Sequence, residues 1–248
     1  WARDKLAAVR PPYTDWPAPD SPRPPGVQLL AAQRRGRRLE GYRVEIENRA
    51  PRRAEREFLT PEAQKRIGSR VASFKKVLAE LDEVWFTLNH VLKVRIEEVR
   101  LIEAINRYVF DATDILAWIS ERELYLNSLE RPTNAEENDR TLRRLRTLAG
   151  IVRQWTDKVS NTVARGQKLN QDSRRGVQVD DEIVSVNEAA QSVVTTFANR
   201  VKSAYDALCD AIALKTRELS EASELHDLLL DLLDLEVSGV ICINCGKC

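Results

Sequence analysis

The sequence predicts an all-α protein, built as tandem three-helix bundles that share a continuous linker helix. Three observations predict it. Charged residues make up 31% of the 248 positions and glycine only 9, the composition of long solvated helices. Apolar residues recur in alternating steps of four and three, a helical period. The chain also resembles itself at an offset of 120 residues, and a fixed period is the mark of stacked units.

Composition narrows the function as well. With 39 basic against 38 acidic residues, the formal net charge is +1, too balanced for an electrostatic nucleic-acid binder. No run approaches the ~18–20 uninterrupted apolar residues of a membrane span. The first residue is Trp1 and the chain contains no Met, so the sequence is expected to be an internal piece of a longer protein. Arg3, Asp4 and Lys5 stand where a secretory signal would have its apolar core. Three of the 4 cysteines fall in the last seven positions, with Cys209 alone in the body. That is no disulfide framework, and it points to a reducing, intracellular compartment.

In chain order, Pro11 to Gly26 holds seven prolines with Tyr13 and Trp16, and reads as loop or extended chain. From Ile67 the seam runs through Val71, Phe74, Leu78, Leu81, Trp85, Leu88, Leu92, Val99 and Ile102. Near Leu101 a second series takes over: Ile105, Tyr108, Ala112, Ile115, Ile119 and Leu126. No Pro or Gly lies between Ser69 and Pro132, which predicts one helix of roughly sixty residues, ~90–100 Å long. A stripe that changes phase midway suits a helix serving first one core and then another. Breaks are expected at Arg131–Asn138 and around Gly176 in Asp172–Asp181. Between them a helix from about Asn138 to Leu169 carries Leu142, Leu145, Leu148, Val152, Trp155, Val159 and Val163. This stripe is wide enough to pack on two neighbours. A third long helix is expected from near Glu182 through Val194, Val201, Tyr205, Leu208 and Ile212 toward Leu232. The tail from Gly239 to Cys248 leaves the helical pattern.

At the offset of 120, Trp85 meets Tyr205, Leu88 meets Leu208, Leu92 meets Ile212, Val99 meets Leu219 and Ile102 meets Ala222. Asp111 meets Asp231 and Asp114 meets Asp234, and neither pair is forced by the apolar seam. Trp1-Ala2-Arg3-Asp4-Lys5 also parallels Trp118-Ile119-Ser120-Glu121-Arg122: a Trp with an acidic residue at +3 and a basic one at +4.

These residues carry a family resemblance. The stretch Trp85 to Glu123 resembles the join between helix C of one spectrin repeat and helix A of the next. It has the helix C Trp85, an Arg ten residues on at Arg95, and Phe110, Asp111, Asp114, Leu116 and Trp118-Ile119 in helix A; Trp85 and Trp118 stand 33 apart. Arg38 to Arg52, and again Arg144 to Leu169, are similar to the family's helix B. The resemblance leans toward a β-spectrin, of the heavy or divergent kind. It implies an irregular repeat over 1–105 with its Pro-rich A–B loop at 11–26, a repeat over 106–224, the start of a truncated third at 225–238, and a foreign Cys-rich tail at 239–248. It implies an elastic spacer and helical interaction surface in an actin-linked membrane skeleton at the cytoplasmic cell cortex. Lateral antiparallel pairing with another spectrin-type rod would follow, with actin reached through domains elsewhere or through a membrane-skeleton adaptor. A scaffold module of the plakin, dystrophin or nesprin kind, docking a protein or lipid, is the alternative.

No constellation for catalysis and no cofactor motif stands out. Cys242, Cys245 and Cys248 resemble half a zinc knuckle, but tetrahedral Zn²⁺ wants four ligands and the chain supplies three together. His90 and His226 are expected on helix surfaces or near a repeat junction. Asp111 and Asp114 read as a solvated face or as partners for nearby Arg and Lys. The basic runs Arg34-Arg35, Arg37-Arg38 and Arg52-Arg53, with their interleaved glutamates, read as a solvated helix face in preference to a contact with acidic lipid or a partner. Trp85, Trp118, Leu88, Leu92, Trp155, Tyr205, Leu208 and Ile212 are the expected structural core, with Trp85 and Trp118 at its centre.

Overall fold

A computed structural model describes residues 1–14, 23–57, 65, 71–185 and 188–245. They are almost entirely helical. The elements are α1 (Ala2–Val9), α2 (Pro25–Glu57), α3 (Val71–Ser128), α4 (Ala135–Gln154), α5 (Thr156–Arg175), β1 (Val177–Val179), β2 (Glu182–Val184) and α6 (Glu188–Cys245). Of the Pro-rich segment, residues 15–22 lie outside the described residues, Trp16 among them, as do residues 66–70 with Ile67. Pro25 opens α2, where its missing N–H is no loss, and Pro51 is accommodated inside the helix.

Contacts group the residues into two units, Trp1–Thr113 with Arg165–Phe197, and Asp114–Ala164 with Ala198–Cys248. The sequence period instead assigns 165–197 to the second repeat. In unit 1, α1, α2 and the first part of α3 close on one apolar cluster of Ala2, Val9, Leu39, Ile46, Trp85, Leu88, Leu92 and Val99. Trp1 lies against Trp85 with ring centroids 6.1 Å apart. Farther along α3, Ile102, Ile105, Tyr108 and Ala112 are buried, as are Ala190, Val193 and Val194 at the start of α6. In unit 2 the buried residues include Ile115, Ile119 and Leu126 of α3, Leu142, Leu145, Leu148 and Val152 of α4, Val159 of α5, and Ala198, Val201, Tyr205, Leu208 and Ile212 of α6.

The unbroken helix expected over Ser69–Pro132 is present as the 58 residues of α3. Its end is held by Lys215, whose Nζ donates to the Leu126 and Leu129 carbonyls at 2.9 and 3.0 Å.

Four expectations are corrected. Helix α4 begins at Ala135, not Asn138, because Asn134 caps it by accepting the Glu137 N–H at 2.9 Å, while Glu137 in turn takes the Thr133 N–H and hydroxyl. The helix expected over 138–169 is two, interrupted at Trp155, whose N–H reaches the Val152 carbonyl in a tighter three-residue turn. The Tyr205 hydroxyl donates to that same Val152 carbonyl at 2.9 Å and lies 2.8 Å from the Thr156 hydroxyl, so a residue of α6 fixes the break.

At Glu182 there is a strand where a helix start was expected. Gly176, at φ 69°, ends α5 in the left-handed conformation, and β1 and β2 then pair antiparallel with Val179 opposite Glu182. Asp180, at φ 51°, supplies the two-residue turn. Finally, α6 continues through Gly239 to Cys245 where a non-helical tail was expected. A lone mid-helix glycine costs only about 1 kcal/mol, and Gly239 has no left-handed φ with which to cap.

Candidate interaction sites

The tryptophan motif has a physical reason in each unit. The basic residue at +4 lies one helical turn above its indole: Lys5 Nζ is 6.0 Å from the Trp1 ring centroid and Arg122 Cζ 5.0 Å from that of Trp118. Arg49 adds a guanidinium 4.1 Å over Trp1, and Lys158 sits 3.9 Å over Trp155. Trp118 and Trp155 stack with centroids 4.0 Å apart and planes 10° from parallel. Both are half-buried, so the expectation that Trp118 fills the centre of the core is corrected: the stack lies at its margin, under cations that need solvent access. The other six expected core residues, Trp85, Leu88, Leu92, Tyr205, Leu208 and Ile212, are buried.

In unit 1 the hairpin is pinned to α3. Val179 and Val184 pack on Val94, beside Leu101 and Val177. Above this contact His90 stands between two carboxylates, Nδ1 at 3.2 Å from Asp180 and Nε2 at 3.2 Å from Glu182, and Lys93 Nζ reaches Asp180 at 3.0 Å. The hydrogen bond to Asp180 raises the His90 pKa, with Glu182 adding to it against some desolvation. The same bond, followed by Lys93, lowers that of Asp180. The sequence placed His90 on a helix surface but could not show carboxylates ninety residues away. The one available signal was the alternation of Val177 and Val179 before Asp180-Asp181, with the β-branched Ile183 and Val184 after it.

Asp111, expected on a solvated face or as a partner for a nearby Arg or Lys, forms an ion pair with Arg165 of α5, whose guanidinium also lies 5.8 Å from the Tyr108 ring centroid. Burial pushes the Tyr108 phenol up to about 12. Gly166 lies against that ring: a Cβ there would fall 2.7 Å from Tyr108 Cζ. Asp114 is exposed. Of the basic runs, Arg35 donates to the Pro11 carbonyl at 3.0 Å with its guanidinium 5.4 Å from the Tyr13 ring centroid. The side chains of Arg52 and Arg53 lie outside the described residues.

Unit 2 presents two surfaces that the sequence did not single out. On α6, Leu225, Leu228, Leu229 and Leu232 are each at least half exposed. Their i, i+3, i+4, i+7 spacing makes one apolar stripe. Between α3 and α4 a groove of 460 Å³ is lined by Tyr125, Leu148 and Ile151 with Arg122, Arg143 and Arg144. His226 instead lines a larger cleft beside Pro132, Asn134 and Lys215.

Cys242 and Cys245 fall on the α6 backbone, while their side chains and all of Cys248 lie outside the described residues. Among the described residues no group of three His, Cys, Asp or Glu side chains is arranged to hold a metal. Burial raises the Cys209 thiol pKa, which disfavours its nucleophilic thiolate. No helix among the described residues is long and apolar enough to cross a membrane. No family model matches the chain.

Proposed function

We propose that the chain is a rod segment of a spectrin-like cytoskeletal protein, an elastic spacer and helical interaction surface in an actin-linked membrane skeleton at the cell cortex. One observation carries this reading. Helix α3 is continuous over 58 residues and supplies buried positions to unit 1 through Ala112 and to unit 2 from Ile115. A helix shared between two cores transmits bending and torque along a chain of units, which is what a spacer under load requires. The recurrence of a cation over Trp1 and over Trp118 supports a common ancestry of the two stretches in tandem repeats.

Its partner in this reading is another spectrin-type rod, with no catalytic role. Incubating the full chain with a solubilised cortical cytoskeleton fraction and sizing the products tests it. Co-elution with a rod complex is the expected result. Elution apart from every rod-containing fraction would overturn the cytoskeletal reading. A scaffold function is the second reading, favoured by the exposed leucine stripe of α6.

A further inference from the structure

The two surfaces of unit 2 complement each other. The α6 stripe is acidic as well as apolar: Glu224, Asp227 and Asp231 flank its leucines, and no Lys or Arg occurs between Arg217 and Lys247. Among the described residues none of these three carboxylates forms an ion pair. The α3–α4 groove is the converse. Its floor is apolar, with Tyr125 and Ile151 both exposed, and its rim carries Arg122, Arg143 and Arg144. Arg122 pairs with Glu121 at 2.7 Å, whereas Arg143 and Arg144 form no ion pair among the described residues.

The internal repeat shows what the stripe is suited to. Shifted by 120, Leu225, Leu228, Leu229 and Leu232 fall on Ile105, Tyr108, Val109 and Ala112, all buried. Asp231 falls on Asp111, which is held by an arginine, Arg165. The covered copy of this stretch therefore meets an apolar surface that supplies an arginine to its aspartate, and the groove offers that combination. Within one copy α6 is unbroken from Glu188 to Cys245, so residues 224–233 cannot turn back onto their own groove without breaking the helix.

We infer that the chain pairs with a second copy of itself, the α6 stripe of each seating in the α3–α4 groove of the other. The leucines cover Tyr125 and Ile151, and Asp227 and Asp231 face Arg143 and Arg144. Each copy carries both halves, so two contacts related by a two-fold axis close into a dimer and leave neither half open. This inference rests on unit 2 and not on the rod reading.

Sedimentation velocity on the full chain tests it, between micromolar and ~100 μM protein. A dimer that weakens as salt rises is expected, since the rim contacts are charge pairs. Leu228→Arg with Leu232→Arg, and separately Arg143→Glu with Arg144→Glu, should each give a monomer. All four positions lie on the surface, and an unchanged circular-dichroism spectrum with a cooperative melt confirms that each variant folds. Combining Asp227→Arg and Asp231→Arg with the two Arg→Glu changes should restore the dimer. A monomer at every concentration, an open-ended increase of mass with concentration, or a dimer indifferent to these variants would overturn the inference. None of those results bears on the cytoskeletal reading, which the rod-complex experiment addresses.

Discussion

Residues 105–112 of α3 and 225–232 of α6 share one apolar period but not one environment. Ile105 is fully buried, whereas Leu225 is 60% exposed. The first stretch is covered, with Arg165 and Gly166 of α5 against Tyr108, while Leu225, Leu228, Leu229 and Leu232 of the second stay exposed. Periodicity therefore states which face of a helix can be buried, and only the neighbouring elements decide whether it is.

That contrast gives the largest expected difference between two substitutions. Ile105→Ala should cost about 2–5 kcal/mol in urea unfolding of the monomer, and Leu225→Ala within about 0.5 kcal/mol of zero. Equal effects would mean that α6 is covered there too. Asp114→Pro removes a backbone donor and kinks α3 without emptying either core, at a cost of about 3 kcal/mol. Calorimetry should then resolve two transitions, one for each unit; a single unshifted transition would remove the shared helix as a coupling element.

Two glycines sharpen the comparison further. Gly166→Ala gains about 1 kcal/mol of helix propensity but drives a methyl into the rigid Tyr108 ring, an overpacking cost of about 1–3 kcal/mol, so net destabilisation is expected. At Gly150 in α4 an added Cβ meets nothing within 4 Å, so Gly150→Ala should raise the melting temperature. Tyr205→Phe deletes the hydroxyl that donates to Val152 at the α4–α5 break and should cost about 1 kcal/mol by denaturant titration.

The smallest effect expected is a pH dependence confined to the hairpin. His90 has a raised pKa, so its contribution is complete below its unfolded value of about 6.5 and is lost as pH rises through the folded one. Asp180 is lowered, so its contribution is present above about 3.9 and is lost as pH falls through its folded value. Amide protection over Val177–Val184, corrected for intrinsic exchange, should therefore be greatest between roughly pH 4 and 6.5. It should decline above neutrality, where the Lys93–Asp180 pair remains. His90→Gln should flatten the upper limb; an unchanged profile would show that His90 does not pin the hairpin.

The uninterrupted α3, the loop around Pro132 and the buried seam of Trp85, Leu88, Leu92, Leu208 and Ile212 were legible because each follows from local rules, the absence of Pro and Gly or a repeat of heptad steps. The break at Trp155 was not, since the group that fixes it is a tyrosine fifty residues away. Nor was the hairpin, whose turn is made by two aspartates and not by the Asn-Gly or Asp-Gly that marks such turns. The candidate sites were the least legible. Arg143, Arg144 and the leucines of α6 look in sequence like an ordinary solvated face and an ordinary core stripe.

The sequence by itself determined that this protein is helical, where its longest helix runs and which residues form its periodic faces, because backbone propensity and side-chain period act over a few residues. Only the tertiary structure decided where Trp118 and Trp155 lie, which carboxylates meet His90 and which leucines stay uncovered. Burial and ion pairing depend on groups far apart in the chain, and no local pattern encodes their meeting.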